Sequence, residues 1–179
     1  VTPDNSNPAS GTTVKLTVVP NPGYMIESVS YNDGTEHKIK PSNGTYQLKM
    51  PKGDVTVKAT FKDLTISTAN DWELFRTNVN NGRTFEGETV TLSDDITVDS
   101  HVCNNNSHRF KGTFDGQGHT ITFNESASSQ PGGLFRYVEN ATFKNLKVAG
   151  TFTNGAGNKY TGGIWNPSSS STSTMFFPW

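Results

Sequence analysis

The stretch FKGTFDGQGHTI at residues 110–121 is the most informative part of this chain for its fold class. It contains two short runs of strand-like composition, and Asp115, Gly116 and Gly118 lie between them. An Asp-Gly step favours backbone conformations with positive φ, which glycine reaches without a Cβ clash. The segment therefore predicts a strand, a tight turn and a second strand.

Composition places the whole chain among turn-rich β proteins. Its 179 residues carry 15 Lys and Arg against 16 Asp and Glu, so the formal net charge is −1 and we expect no nucleic-acid partner. A hydrophobic fraction of 31% with 17 glycines favours an all-β protein with thin cores. With Cys103 as its single cysteine, the chain cannot form an intrachain disulfide. No apolar run is long enough to span a bilayer, so we expect no membrane insertion. Because the chain starts at Val1 without Met or a signal-peptide pattern, we interpret it as a piece of a longer protein.

Residues 1–62 alternate apolar and polar side chains with period two. The alternation is clear at residues 14–18, 46–50 and 55–61, and it places the apolar side chains of each run on one face of a strand. Turn signals separate these runs at residues 20–23, 32–34, 42–44 and 50–54. The pattern predicts a small antiparallel sheet of about four or five strands without a helix.

The same region carries a recognisable series of motifs. They are GTTVKLTV at 11–18, NPGY at 21–24, YQLKMP at 46–51 and GDVTVKATF at 53–61. The series resembles the divergent internalin-type B-repeat of bacterial surface proteins. The resemblance implies a β-grasp-like fold at residues 1–62 that serves as a spacer or an adhesive repeat.

Residues 63–88 change to a helical pattern. Thr68 is a candidate N-cap, and Asp71 stands three residues later in a capping-box-like position. Apolar side chains then recur at helical spacing at Trp72, Phe75 and Val79. The spacing predicts an amphipathic helix at about residues 69–80 that covers the open end of the next sheet. We interpret Trp72 as a core residue rather than a ligand platform.

Short strands and turns alternate from residue 89 onwards. The predicted strands are 89–92, 96–98, 110–114, 120–123, 134–138, 141–148 and 161–164. Two glycine pairs, at 132–133 and 162–163, recur 30 residues apart. Repetition on this scale predicts stacked coils, each too small to bury its own face alone.

A second resemblance covers about residues 65–165. Its motifs are ISTA at 66–69, VTLSDDI at 90–96, the 110–121 stretch, GLF at 133–135 and FKNL at 143–146. This order is similar to the start of a right-handed parallel β-helix of the GLUG-motif type. Arg136 stands where the family usually has glycine, and the pattern stops after Ile164. The resemblance implies a large bacterial surface or secreted protein, a class that includes adhesin-like chains and segments attached to immunoglobulin-cleaving peptidases.

The expected architecture is therefore all-β. It comprises a small antiparallel β-grasp-like module at 1–62 and a short or truncated right-handed parallel β-helix with one capping helix at 63–165. Residues 166–179 form a Ser/Thr-rich linker and an apolar tail. A β-helix that stops early leaves an unpaired end. Either the tail covers that end, or the end pairs with another molecule, or the chain is a fragment, which is the interpretation we favour.

Candidate chemical groups have simpler structural explanations. Glycosidases need two carboxylates at a set separation, and the carboxylates to consider are Asp94, Asp95, Asp99 and Asp115. These residues follow strands or form turns, where their side chains accept backbone hydrogen bonds. The thiol and imidazole groups of His101, Cys103 and His108 match no zinc or nucleophile motif. We therefore expect no catalytic residue, no metal site and no cofactor.

Aromatic side chains are the better binding candidates. Most Phe residues should be core in so thin a protein, whereas Tyr137, Tyr160 and Trp165 are expected to be exposed. Aromatic rings bind the apolar faces of sugars. We therefore name Tyr137, Tyr160 and Trp165 as the predicted ligand-binding residues.

These observations favour a non-catalytic segment of an adhesin-like bacterial protein, located extracellularly or at the cell surface. It would act as a spacer and a binding surface, with a host protein or glycan as partner, and it could self-associate through the open β-helix end. One alternative is a fragment of a β-helix polysaccharide lyase, hydrolase or peptidase whose active residues lie outside this chain. Another is a carbohydrate-binding module.

Overall fold

The computed structural model of this chain describes residues 1–42, 44–128, 133–150, 152–154, 164 and 174–176. The chain divides into two compact units, Val1–Asp63 (unit 1) and Leu64–Trp179 (unit 2). The described residues form many strands and one helix, so the all-β expectation is confirmed.

Unit 1 contains two three-stranded antiparallel sheets. Its strands are β1 (Thr2–Pro3), β2 (Thr13–Thr17), β3 (Tyr24–Asn32), β4 (Glu36–Lys38), β5 (Tyr46–Lys49) and β6 (Thr56–Asp63). The strand orders are β1-β2-β5 and β4-β3-β6, and all pairings within unit 1 are antiparallel. The described residues of unit 1 contain no helix, as the alternation predicts.

The period-two pattern builds the core of unit 1. The buried residues that form this core are Val14, Leu16, Val29, Ile39 and Leu48. Val57 and Ala59 of β6 pack against them from the second sheet and are partly buried. Phe61 continues the same alternation, but 41% of its surface remains exposed. The apolar face of β6 therefore extends beyond the core that it helps to cover.

The helix of unit 2 is α1 (Ala69–Asn80), in the range that the apolar spacing predicts. Thr68 caps it, since Thr68 Oγ1 accepts a hydrogen bond from the Asp71 backbone N–H at 3.1 Å. The Asp71 carboxylate accepts from the Thr68 N–H at 3.1 Å, which completes the capping box. These reciprocal bonds explain why the helix begins at Ala69.

The strands of unit 2 pair in parallel. They are β7 (Thr65–Ile66), β8 (Thr89–Leu92), β9 (Ile96–Val98), β10 (Thr113–Asp115), β11 (Thr120–Phe123), β12 (Glu125–Ser128), β13 (Thr142–Lys144), β14 (Lys147–Ala149), β15 (Phe152–Asn154) and β16 (Thr174–Phe176). Three sheets result, with orders β16-β13-β10-β8-β7, β14-β11-β9 and β12-β15. Strands that are neighbours in a sheet are one chain circuit apart, so successive circuits lie on one another.

Equivalent residues of successive circuits are aligned in the strand pairs of unit 2. Thr113 aligns with Thr89 on one side and with Thr142 on the other, at separations of 24 and 29 residues. Thr142 in turn aligns with Thr174, 32 residues later. In the second sheet Ile121 aligns with Ile96 and with Val148. Equivalent apolar side chains therefore stack in columns, although the circuits differ in length.

Three of the predicted strands differ from the structure. The run 110–114 is reduced to β10, with Phe110 in an isolated bridge to Val138. The run 134–138 forms only isolated parallel bridges, of Phe135 with Val102 and of Val138 with Phe110, rather than a continuous strand. The run 141–148 is split by Asn145, whose φ of 51° is incompatible with an extended strand.

The C-terminal part of the predicted β-helix is only partly described. The predicted strand 161–164 lies outside the described residues except for Ile164, whose carbonyl accepts a hydrogen bond from the Phe135 N–H at 2.7 Å. Residues of the predicted linker and apolar tail contribute β16, which pairs in parallel with β13, as in the alternative in which the tail covers the open end. Parallel pairing satisfies backbone groups at an otherwise open edge.

Aromatic side chains fill the core of unit 2. Trp72 and Phe75 of the helix are fully buried, as the core interpretation of Trp72 predicts. The Trp72 ring lies 6.1 Å from Phe114 and 5.7 Å from Phe135, both in edge contacts. Its indole N–H donates to the Ser100 carbonyl at 2.9 Å, so the only polar atom of the side chain is satisfied. The helix thus supplies part of the core itself.

Candidate functional site

Tyr137 is the one predicted binding residue that the structure describes. It precedes Val138, which forms an isolated parallel bridge with Phe110, and its carbonyl accepts from the Phe110 N–H at 3.3 Å. Phe110 and Val138 are fully buried, whereas Tyr137 is half-buried. Tyr160 and Trp165 lie outside the described residues.

Three charged residues lie near Tyr137 along the backbone. Because Phe110 forms a parallel bridge with Val138, Arg109 and Lys111 flank one side of the bridge while Tyr137 and Glu139 flank the other. All four of these residues are partly exposed, whereas Phe110 and Val138 are buried. We call Arg109, Lys111, Tyr137 and Glu139 the Tyr137 face.

Ion pairs order the Tyr137 face. Lys111 Nζ lies 2.9 Å from Glu139 Oε1, and an Arg109 guanidinium nitrogen lies 3.7 Å from Glu139 Oε2. The hydrogen bond from Lys111, together with the positive charges of Lys111 and Arg109, lowers the pKa of Glu139. Glu139 is therefore ionised at neutral pH, and the face keeps one net positive charge beside an aromatic ring. Such a mixture of ring and polar groups can contact the apolar and the polar faces of a sugar.

The candidate carboxylates hold turns together. Burial raises the pKa of Asp115, but hydrogen bonds from the Gln117 N–H, Asn145 and Lys144 outweigh burial and leave that pKa lowered. Asp95 accepts a 2.7 Å hydrogen bond from the Thr120 N–H, which is the main cause of its lowered pKa. Both carboxylates are therefore ionised at neutral pH.

The two other candidate carboxylates occupy surface positions. Asp94 accepts a hydrogen bond from the neighbouring Ser93 hydroxyl at 3.3 Å. Asp99 and Glu73 line a groove of about 270 Å³ together with Thr97 and Asn124. Glu73 also accepts from Arg76 at 3.1 Å, so its charge is paired.

The side chains of His101, Cys103 and His108 lie in different environments. Cys103 is fully buried, and burial raises its pKa to about 12. Burial, with the positive charges of Arg136 and Arg76, lowers the pKa of His101 to about 4. His108 Nδ1 instead lies 2.6 Å from the Asn80 carbonyl. Among the described residues, no group of three or more His, Cys, Asp or Glu side chains could hold a metal ion.

Sequence reasoning named Tyr137 as a binding candidate and did not name Arg109, Lys111 or Glu139. Lys111 and Glu139 are 28 residues apart, so only the stacking of circuits brings them together. The signal that could have found them is the aligned pair of Phe110 and Val138, each with a charged residue directly after it.

Comparison with known proteins found a similarity for the N-terminal part of the chain only. Searches of curated proteins and of solved structures found no match. No helix among the described residues is long and apolar enough to cross a membrane. Repeats of the internalin type are typical of bacterial surface or secreted proteins. Residues 1–65 match the family model of the divergent InlB B-repeat domain, which indicates a repeat of a bacterial surface protein.

Proposed function

We propose that this chain is a non-catalytic, adhesin-like segment of a bacterial surface or secreted protein. In this proposal unit 1 is a β-grasp-like spacer, and unit 2 is the start of a right-handed β-helix of the GLUG type that presents a binding face. The single observation that carries the binding role is the Tyr137 face, where a partly exposed tyrosine flanks the same backbone bridge as three charged residues that ion pairs hold together.

The stacked circuits support the β-helix part of the proposal. Strands β8, β10 and β13 pair in parallel without a register shift, and so do β9, β11 and β14. A column of stacked circuits is rigid along its axis and exposes one repeated outer face. That geometry suits a segment that holds a ligand-binding surface away from the cell.

The lowered pKa values of Asp95 and Asp115 support the non-catalytic part. Asp115 accepts a backbone hydrogen bond within its own turn, and Asp95 accepts one from Thr120, 25 residues later, so the ionised form of each is the one that the fold uses. Residues that stabilise a turn in this way have a structural reason to be present.

We propose that the ligand is a glycan from the host surface. A glycan array probed with the full 179-residue chain tests this directly. We expect binding that Tyr137→Ala reduces at least about fivefold, if stacking of a sugar on the ring contributes about as much as the 1–3 kcal/mol of a base stacked on an aromatic side chain. The matched control is Tyr24→Ala, an exposed tyrosine of unit 1 that should leave binding unchanged.

Two outcomes would contradict the proposal. Glycan binding that is equal in the Tyr137→Ala variant and the parent chain would remove the Tyr137 face as the binding site. Release of reducing ends or unsaturated products from a polysaccharide, abolished by Asp115→Asn or Asp99→Asn, would instead identify the chain as an enzyme.

A further inference from the structure

Strand β6 lies at the end of its sheet, and no strand among the described residues pairs with its outer edge. It is the terminal strand of the order β4-β3-β6, and it spans eight residues. The Ile39 N–H donates to the Val29 carbonyl, so Val29 directs its backbone groups towards β4 and Ser30 directs its own towards β6. Since Ser30 aligns with Lys58, the backbone groups of Thr56, Lys58 and Thr60 face β3.

The alternate residues therefore face outwards. Val57, Ala59 and Phe61 direct their N–H and C=O groups away from β3, and no described strand pairs with them there. Their side chains lie on the apolar face, where Phe61 is 41% exposed. An edge of this length with an apolar face is a template for adding another strand.

We propose that β6 pairs with β6 of a second copy of this chain, antiparallel and centred on Ala59. In this register Ala59 lies opposite the partner copy's Ala59, and Val57 lies opposite its Phe61. All of the outward N–H and C=O groups of these three residues then find partners. Two three-stranded sheets become one continuous six-stranded sheet.

Charge selects this register over its neighbours. Pairing centred on Ala59 places Lys58 opposite Thr60 and Lys62 opposite Thr56, so no lysines face each other. Pairing centred instead on Lys58 would place Lys58 opposite Lys58 of the other copy. Pairing centred on Thr60 would place Lys58 opposite Lys62. Like charges directly opposite one another destabilise a sheet.

The shape of unit 1 beside β6 also favours the register centred on Ala59. Val57 lines a groove of about 290 Å³ in unit 1, together with other apolar side chains such as Leu48 and Val55 and with polar residues such as Asn5 and Asp54. The exposed ring of Phe61 would come from the second copy to the position opposite Val57, beside this groove. Its burial there provides an apolar driving force for pairing.

Association of the full chain, measured by sedimentation equilibrium, tests the proposal. We expect a concentration-dependent dimer that Ala59→Pro weakens at least about tenfold, because proline removes an outward N–H donor on each copy. Proline is tolerated on an edge strand when its N–H faced solvent, and circular dichroism verifies that the variant folds. Ala59→Ser keeps the donor and should associate like the parent chain.

A matched pair of substitutions tests the register itself. Thr60→Glu places a carboxylate opposite Lys58 of the other copy, whereas Thr60→Lys places a second ammonium there. Both remove the same Ser28–Thr60 hydroxyl contact of 2.7 Å, so their folding effects are comparable. We expect the Glu variant to dimerise at least about threefold more tightly than the Lys variant, since each pair occurs twice.

Amide exchange completes the test. Protection of the Val57, Ala59 and Phe61 amides should rise with protein concentration, while the Lys58 and Thr60 amides stay protected at every concentration. A chain that remains monomeric at millimolar concentration would overturn the proposal. So would a dimer that Ala59→Pro leaves unchanged.

Discussion

Asn145 Nδ2 donates a hydrogen bond of 3.0 Å to Asp115 Oδ1, across 30 residues of sequence. Asp115 also accepts from the Gln117 N–H at 3.0 Å, and Lys144 Nζ lies 3.1 Å from its other oxygen. One carboxylate therefore fixes its own turn and joins it to the equivalent turn of the next circuit. The DG turn is a structural corner of unit 2.

Removal of this carboxylate should destabilise unit 2. We expect Asp115→Ala to lower the free energy of unfolding by about 1–3 kcal/mol, because the Gln117 N–H and the Asn145 amide lose their acceptor. Asp94→Ala removes a carboxylate that only a neighbouring serine contacts, and it should change this free energy by less than about 0.5 kcal/mol. Urea unfolding measures both. Equal effects would show that Asp115 does not hold the corner.

Glycine at 116 is required for the close approach of successive circuits. A Cβ atom there would lie 2.5 Å from the Asn145 carbonyl oxygen and 2.5 Å from Leu146 Cα, both backbone atoms. We expect Gly116→Ala to cost about 3 kcal/mol, as in severe overpacking. At Gly118 a Cβ meets open space but φ is +85°, so Gly118→Ala should cost only about 1–2 kcal/mol. The opposite ranking in urea unfolding would refute the crowding argument.

His101 should make the stability of unit 2 depend on pH. Its folded-state pKa is about 4, below the ordinary value of about 6.5, so between these values the unfolded chain binds more protons than the folded one. The free energy of unfolding should therefore fall as the pH decreases from about 6.5 to 4. His101→Gln should remove much of this decrease, while His119→Gln should retain it. Urea unfolding across this pH range gives the comparison.

The Cys103 thiol should be unreactive in the folded chain. Burial raises its pKa to about 12, and the residue is fully buried. At pH 8 we expect a thiol-specific reagent to modify it at least about 100-fold more slowly than in the urea-unfolded chain. A Cys103→Ala, Asn105→Cys variant moves the thiol into the exposed part of the same loop and should react rapidly. Fast modification of native Cys103 would contradict the burial that the structure gives it.

The helix cap should contribute a measurable share of stability. Thr68→Ala removes the oxygen that accepts from the Asp71 N–H, so we expect a loss of about 1 kcal/mol in unfolding free energy. Thr77→Ala lies within the helix, where alanine is the better helix former, and it should be neutral or slightly stabilising. Thermal unfolding distinguishes the two. A neutral Thr68→Ala variant would mean that the cap is dispensable.

Local patterning predicted much of this fold. The alternation at 14–18, the cap at Thr68 and the turn that begins at Asp115 each depend on residues near one another in sequence. The detail of the turn was wrong, since positive φ falls on Gln117 and Gly118 while Gly116 serves close packing. Positive φ and close packing both require glycine, so the sequence alone does not show which of the two applies at a given glycine.

The composition of the Tyr137 face depended on tertiary structure. Tyr137 could be named from the sequence because it is an aromatic residue in a β segment. Lys111 and Arg109 meet Glu139 only because successive circuits stack. The separations between aligned residues vary from 24 to 33, so no fixed period predicts which residue lies above which.

Short-range chemistry thus specified strands, turns and one capped helix, because hydrogen bonds and side-chain alternation within a few residues are enough to select them. The alignment of Asp115 with Asn145, and of Lys111 with Glu139, was decided by packing. Circuits of unequal length can be brought into register only when the aromatic core, from Trp72 to Phe143, is filled and each backbone group has found its partner.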